Sequence, residues 1–225
     1  MIVNPAVEAY LTGLVPERSA LLQRLEREAA EEGIPIILLP SAQLIRLLLL
    51  THRPKRILEV GTAIGYSAIW LAEAAGQAEV VTIEQDEARA ARAQANFAEA
   101  GLGDRIKLIV GDATKGLRDP EAGPFDCLFI DAAKGQYQAF LDLYLPHITA
   151  GGLVICDNVL FRGLVVDPEA AGKRQRPLVD KLIRFNQYLA NHPLLETSFV
   201  PVGDGIAISR RRTDAKAGLK VKSWE

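Results

Sequence analysis

The chain has 225 residues, with 26 Lys and Arg against 28 Asp and Glu; the formal charge of −2 excludes a nucleic-acid binder working by bulk positive charge and leaves room for a local basic patch. Its length fits one large α/β domain or two small ones, with a core that needs no staples. A composition 49% hydrophobic and 24% charged is that of a soluble globular protein, and two cysteines give no disulfide framework, so reduced thiols and a cytoplasmic address are expected.

Residues 1–30 carry Glu8, Glu17, Arg18, Arg24, Glu26, Arg27 and Glu28 and lack the apolar stretch of a secretory leader, so the start is expected to belong to the fold. Asn4-Pro5 reads as a helix cap with proline in the first turn, and Leu21, Leu22, Leu25 and Ala29 recur at helical spacing until Gly33. Ser41 is expected to cap a Leu-rich helix running to His52. Its apolar run, Leu44 to Leu50, is broken by Arg46 and falls far short of the ~20 residues of a membrane span, so no membrane partner is expected.

From there the pattern changes. Segments 56–60, 79–83, 106–110, 125–130 and 152–156 are short, β-branched and nearly continuously apolar, as strands buried on both faces should be. Helix-period segments at 66–75, 86–100, 134–145 and 177–190 separate them. This alternation predicts an α/β, doubly wound, Rossmann-like sheet, mostly parallel, behind an N-terminal helical extension. Ser198–Val202 and Ile206–Ser209 flank Gly203-Asp204-Gly205 and predict a C-terminal antiparallel hairpin. We therefore expect a single domain over 1–212, with helices over 1–52 and the Rossmann-like core over 53–212, then a flexible tail over 213–225.

Glu59-Val60-Gly61-Thr62-Ala63-Ile64-Gly65-Tyr66-Ser67 follows the first strand and opens a helix, a place where backbone can approach a ligand. A dinucleotide fingerprint needs G-x-G-x-x-G, whereas this chain has Gly61-x-x-x-Gly65 behind the acidic Glu59. The variant suits a ligand with a cationic amino-acid part; the alternative is a glycine turn made for packing. Glu84 ends the second strand, where a carboxylate can accept from both hydroxyls of a ribose. Asp112-Ala113 follows the third strand and could flank an adenine edge, or Asp112 could be a helix cap. Together, acids at successive strand ends describe an adenosyl pocket. The next strands end in Asp131 and Asp157-Asn158, hard oxygen donors that favour Mg²⁺ or a similar divalent ion over zinc, unless Asp157-Asn158 merely caps a loop. Lys134, three residues beyond Asp131, can bring its amine to the same site.

The runs Ile57–Trp70 (ILEVGTAIGYSAIW), 129–138 (FIDAAKGQYQ) and 157–163 (DNVLFRG) resemble the cation-dependent O-methyltransferases, the class of catechol and caffeoyl-CoA O-methyltransferases, over nearly all of residues 1–212. Within it, GTAIGYSAI, IDAAKGQYQ, DNVLF-R-GLV and PVGDGIAIS are most similar to the bacterial tRNA 5-hydroxyuridine methyltransferases. The resemblance implies that Gly61, Ser67, Glu84, Asp112, Ala113 and Asp131 contact S-adenosylmethionine, with Ile37 from the N-terminal segment. We add Glu59 and Gly65 from the glycine loop. It also implies that Asp131, Asp157 and Asn158 hold Mg²⁺, and that Lys134 is the general base, making Asp131 and Lys134 the catalytic pair. The expected activity is conversion of 5-hydroxyuridine to 5-methoxyuridine at the wobble position of tRNA; the alternative acceptor is a small catechol or hydroxycinnamoyl-type phenol.

The two acceptors share an adjacent pair of oxygens, so the walls of the site must choose between them. Between Arg162 and Arg184 six basic residues face three acidic ones, a local +3. Lys134, Arg162, Lys173, Arg174 and Arg176 are the candidate contacts to a tRNA anticodon loop, the alternative being a solvated surface. Arg210-Arg211-Arg212 reads as solvated. The three histidines are scattered, and Cys127 and Cys156 read as core. A homodimer is expected from the resemblance, with the N-terminal helices and the 160s loop as candidate contacts.

Overall fold

The computed structural model describes residues 3–118 and 123–213. Three helices come first: α1 (Pro5–Gly13), α2 (Ala20–Glu32) and α3 (Leu39–His52). Asn4 caps α1 by accepting from the Ala6 amide at 2.9 Å, and Ser19 caps α2. Ser41 is not a cap: α3 starts two residues earlier, with Pro40 in its first turn, and Ser41 is fully buried inside it. Proline's fixed φ begins the helix where no side-chain cap is present.

Strands and helices then alternate: β1 (Arg56–Val60), α4 (Tyr66–Ala74), β2 (Glu79–Glu84), α5 (Glu87–Glu99), β3 (Ile106–Val110), β4 (Phe125–Ile130), α6 (Tyr137–Tyr144), β5 (Ile148–Cys156), α7 (Arg176–Ala190), β6 (Leu195–Val200) and β7 (Ile206–Arg211). The sheet order is β3-β2-β1-β4-β5-β7-β6, parallel from β3 to β5, with β7 and β6 added antiparallel. This is a doubly wound, Rossmann-like sheet with the hairpin expected from the sequence. β6 begins three residues before the expected Ser198.

Alternate strand residues enter two cores. Ile57, Cys127, Phe129 and Ile155 pack with α2 to α5, whereas Leu58, Leu128, Ile130, Val154 and Cys156 pack with α6 and α7. Burial on both faces explains the continuous apolar runs. Among the described residues no helix is long and apolar enough to cross a membrane. The expected tail lies outside the described residues apart from Thr213.

Strand order reverses between β1 and β4, the switch point where open α/β sheets bind ligands. The ladder continues past the strands: Gly61 donates to Ile83 (3.1 Å), Gly111 to Glu84 (2.8 Å), Asp131 to Val60 (3.0 Å) and Asp157 to Ile130 (3.1 Å). These bonds set the C-terminal ends of neighbouring strands in one row.

Candidate active site

At the switch point Gly61 has φ +101°, and a Cβ there would stand 2.3 Å from the Asp131 carbonyl oxygen. Glycine is required both for the left-handed backbone and for the close approach of β1 to β4. Gly65 also needs glycine, at φ +88°, but its Cβ would strike the Phe97 ring of α5 at 2.5 Å. Gly65 thus permits the packing of α4 on α5 and does not line the cleft, which is the packing alternative the sequence left open.

The cleft beside this row is lined by Pro35, Gly61, Ala63, Glu84, Gln85, Arg89, Asp112, Ala113, Asp131, Lys134, Gln136 and Phe140 among others. Glu84 is held by two backbone donors, Ala63 at 2.8 Å on one oxygen and Asp86 at 2.9 Å on the other. Asp112 accepts from the hydroxyl (2.7 Å) and amide (2.9 Å) of Thr114, bonds that hold its carboxyl below the usual range. It is therefore both a cap and a cleft residue. Ile37 is buried in the core, and Pro35 is the nearby residue that reaches the cleft. Arg89 and Gln85 were not singled out by sequence, since neither ends a strand.

Glu59 lies below the cleft floor and is completely buried. Thr82 donates to its Oε2 at 2.5 Å, and the nearby Ser67 hydroxyl also favours the charged form. Even so, burial pushes the carboxyl up to about 7, and Oε1 makes no hydrogen bond among the described residues. A buried acid with an idle oxygen suits a cationic ligand group. With Glu84 for a ribose and Asp112 for an adenine edge, the lining fits S-adenosylmethionine.

Asp131 opens on the cleft, while Asp157 is almost fully enclosed. Burial raises both carboxyls, the Asp131 charge raises Asp157 further, and Lys134 partly offsets this. Asn158 follows with φ +56°, a conformation unusual for a residue other than glycine. Among the described residues no group of three or more His, Cys, Asp and Glu forms a metal cluster. Two repelling carboxylates beside one amide nevertheless form a hard-oxygen set sparse enough to leave coordination positions for water and substrate, so the residues fit Mg²⁺.

The loop bearing Asp157 and Asn158 is gripped by the β6–β7 turn. Val159 donates to Gly205 (3.0 Å), Leu160 to the Asp204 carbonyl (3.1 Å), and the Arg162 amide to the Asp204 carboxylate. A Cβ on Gly205 would meet Leu160 Cγ at 2.3 Å. From α7, Asn186 donates to the Val159 carbonyl at 2.8 Å. Asp204 was missed by sequence, although its place between two glycines in the hairpin marked a special turn.

The proposed substrate contacts divide. Arg162, Lys173 and Arg174 are exposed and make no ion pair among the described residues, and none lines the cleft. Arg176 differs: it pairs with Glu169 at 2.7 Å and Asp180 at 2.9 Å, so its charge is neutralised within the chain. Cys127 and Cys156 are buried, the Cys127 thiol being pushed up to about 12 by burial, and neither is a nucleophile.

A family model described as O-methyltransferase matches residues 14–212. The chain belongs to the O-methyltransferase family. Among its relatives, proteins named catechol O-methyltransferase from Niastella koreensis and Mycobacterium tuberculosis are each 34% identical, covering 91% of this chain and 96% and 94% of those proteins. A crystal structure described as a putative caffeoyl-CoA O-methyltransferase from Staphylococcus aureus superposes with a TM-score of 0.86 at 32% identity, over 92% of this chain and 99% of that one. The O-methyltransferase from Bacillus cereus, solved in complex with SAH, gives 0.80 at 28%, covering 92% of this chain and 97% of its own. The family match spans α2, α3 and the hairpin, so these are parts of the family's fold.

Proposed function

We propose that this family member uses S-adenosylmethionine and a divalent cation to methylate the 5-hydroxyl of 5-hydroxyuridine at the wobble position of tRNA. The observation that carries the reading is the pair of repelling carboxylates, Asp131 and Asp157, with Asp131 on the cleft that Glu84, Asp112 and Lys134 also line. Bound there, the cofactor supplies an electrophilic methyl group, and the cation supplies Lewis acidity at an adjacent pair of acceptor oxygens.

The chain's residues do the rest. Glu84, fixed by two amides, accepts from ribose hydroxyls; Asp112 lies at the adenine end; Glu59 offsets the charge of the amino-acid part. Asp131, Asp157 and Asn158 hold the cation. Lys134 brings its amine to the acceptor hydroxyl as the candidate proton acceptor, so the hydroxyl can lose its proton as its oxygen takes the methyl group and the methyl–sulfur bond breaks. Exposed Arg162, Lys173 and Arg174 offer charge to an RNA backbone.

A second reading, methylation of a small catechol or hydroxycinnamoyl phenol, is favoured by the names of the 34% identical relatives. Its chemistry at Asp131 and Asp157 is the same. The test is labelled methyl transfer to tRNA from cells lacking this protein, in parallel with a catechol panel. Label in tRNA supports the first reading; label confined to catechols overturns it and leaves the second.

A further inference from the structure

Beside the methyl-transfer cleft runs a second groove, between the turn at Lys134–Gln136 and α7. Lys134 and Gln136 line both, so the two spaces share a wall. The walls come close at Gly135, where a Cβ would stand 3.5 Å from Lys181 Nζ and 3.8 Å from Leu178 Cδ1. Arg184, one turn further along α7, faces the same groove.

The charges lining it are one-sided. Lys134, Lys181 and Arg184 are basic, and none makes an ion pair among the described residues; the acid is Asp142, one of whose oxygens already accepts from Tyr188 at 2.6 Å. Other charges on the same helix satisfy each other, as Arg176 and Asp180 do. Asp131 and Asp157 offset Lys134 on the cleft side, whereas Lys181 and Arg184, gathered against the apolar Phe185, repel each other unless an anion joins them. A guanidinium fork and two ammonium groups suit phosphate oxygens. An anion held there lies beside Lys134, which also lines the methyl-transfer cleft.

We propose that this groove is a phosphate subsite for the acceptor substrate, with Lys181 and Arg184 as its binding residues. The inference rests on the methyltransferase reading above and sharpens it: the acceptor carries a phosphate. In tRNA this is the phosphodiester flanking the modified nucleotide. In a hydroxycinnamoyl thioester it is a phosphate of the coenzyme A moiety.

The double variant Lys181→Gln/Arg184→Gln, both exposed positions, tests it against three acceptors: tRNA containing 5-hydroxyuridine, caffeoyl-CoA and phosphate-free catechol. For a phosphate-bearing acceptor, KM should rise by about tenfold or more with kcat within about twofold, and the slope of log KM against log salt should fall by about 2. KM for S-adenosylmethionine and for catechol should stay within about twofold, and Lys181→Arg should retain wild-type KM. Arg27→Gln, on α2 outside the groove, controls for net charge. If the wild type ignores tRNA but shows this dependence with caffeoyl-CoA, the tRNA reading fails and the subsite stands. Equal losses on all three acceptors, no loss on the phosphate-bearing ones, or a wild type that acts on catechol alone would each overturn the subsite.

Discussion

At the end of β1, Glu59 is completely enclosed, and burial pushes its carboxyl up to about 7. The folded protein holds this proton more tightly than the unfolded chain does. Stability is therefore greatest below the ordinary glutamate value of 4.5 and is lost as pH rises through about 7, a cost of about 3 kcal/mol when complete. Asp131 and Asp157 titrate with the same sign, so the Glu59 share is the difference between wild type and Glu59→Gln. Thermal melts between pH 5 and about 8 should show a shallower decline for the variant; parallel curves would remove Glu59 from the account. Because a cationic ligand prefers the charged carboxylate, S-adenosylmethionine affinity in the wild type should rise over the same window, measured by calorimetry. Asp157→Asn removes one of two repelling charges. It should raise the melting temperature without metal while lowering kcat/KM by about 100-fold or more, the trade expected when a site is built for a cation. Strand-end acids were legible in sequence because ligands bind at the C-terminal ends of parallel strands. The packing role of Gly65 was not legible, because its neighbour, Phe97, lies 32 residues away and only the fold brings it near.

At the scale of elements, the β6–β7 hairpin holds the loop that carries Asp157 and Asn158. Asn158, Phe161 and Arg162 all have positive φ, so the loop depends on outside contacts to keep its shape. Asp204→Ala removes the carboxylate that accepts from the Arg162 amide. We expect divalent-cation affinity to fall about tenfold, by titration calorimetry with Mn²⁺, with cofactor affinity unchanged, and Asp204→Asn to keep most of it. Unchanged Mn²⁺ affinity in Asp204→Ala would show that the loop holds itself. The strands were readable because burial on both faces leaves no polar alternation, and the hairpin because glycines flank Asp204. The reach of that hairpin back to residues 159–162 was not, since it joins segments more than 40 positions apart. The pairing of Arg176 with Glu169 and Asp180 was equally hidden, because a basic run in a sequence does not reveal which charges are already satisfied.

For the whole molecule, α1 is the element least explained by the monomer. It buries none of its residues, and Val7, Tyr10 and nearby Leu14 are 47%, 67% and 62% exposed. Apolar residues gathered on one short helix mark a contact surface. The homodimer expected from the family resemblance would cover them, so Tyr10→Asp/Leu14→Asp should convert a dimer to a monomer in light scattering. A wild type that is monomeric at high concentration would contradict this. The fold, by contrast, follows from the alternation of buried strands and amphipathic helices, and its switch point brings cofactor cleft, oxygen donors and Lys134 together. The proposed reaction is cation-assisted methyl transfer to the wobble nucleoside. Its most direct test is nucleoside mass spectrometry of tRNA from cells lacking the protein, after incubation with the protein and S-adenosylmethionine, with Mg²⁺ or with a chelator. With Mg²⁺, 5-methoxyuridine should replace 5-hydroxyuridine; with the chelator it should not form. Unaltered 5-hydroxyuridine in both samples, or equal conversion in both, would contradict the proposed reaction.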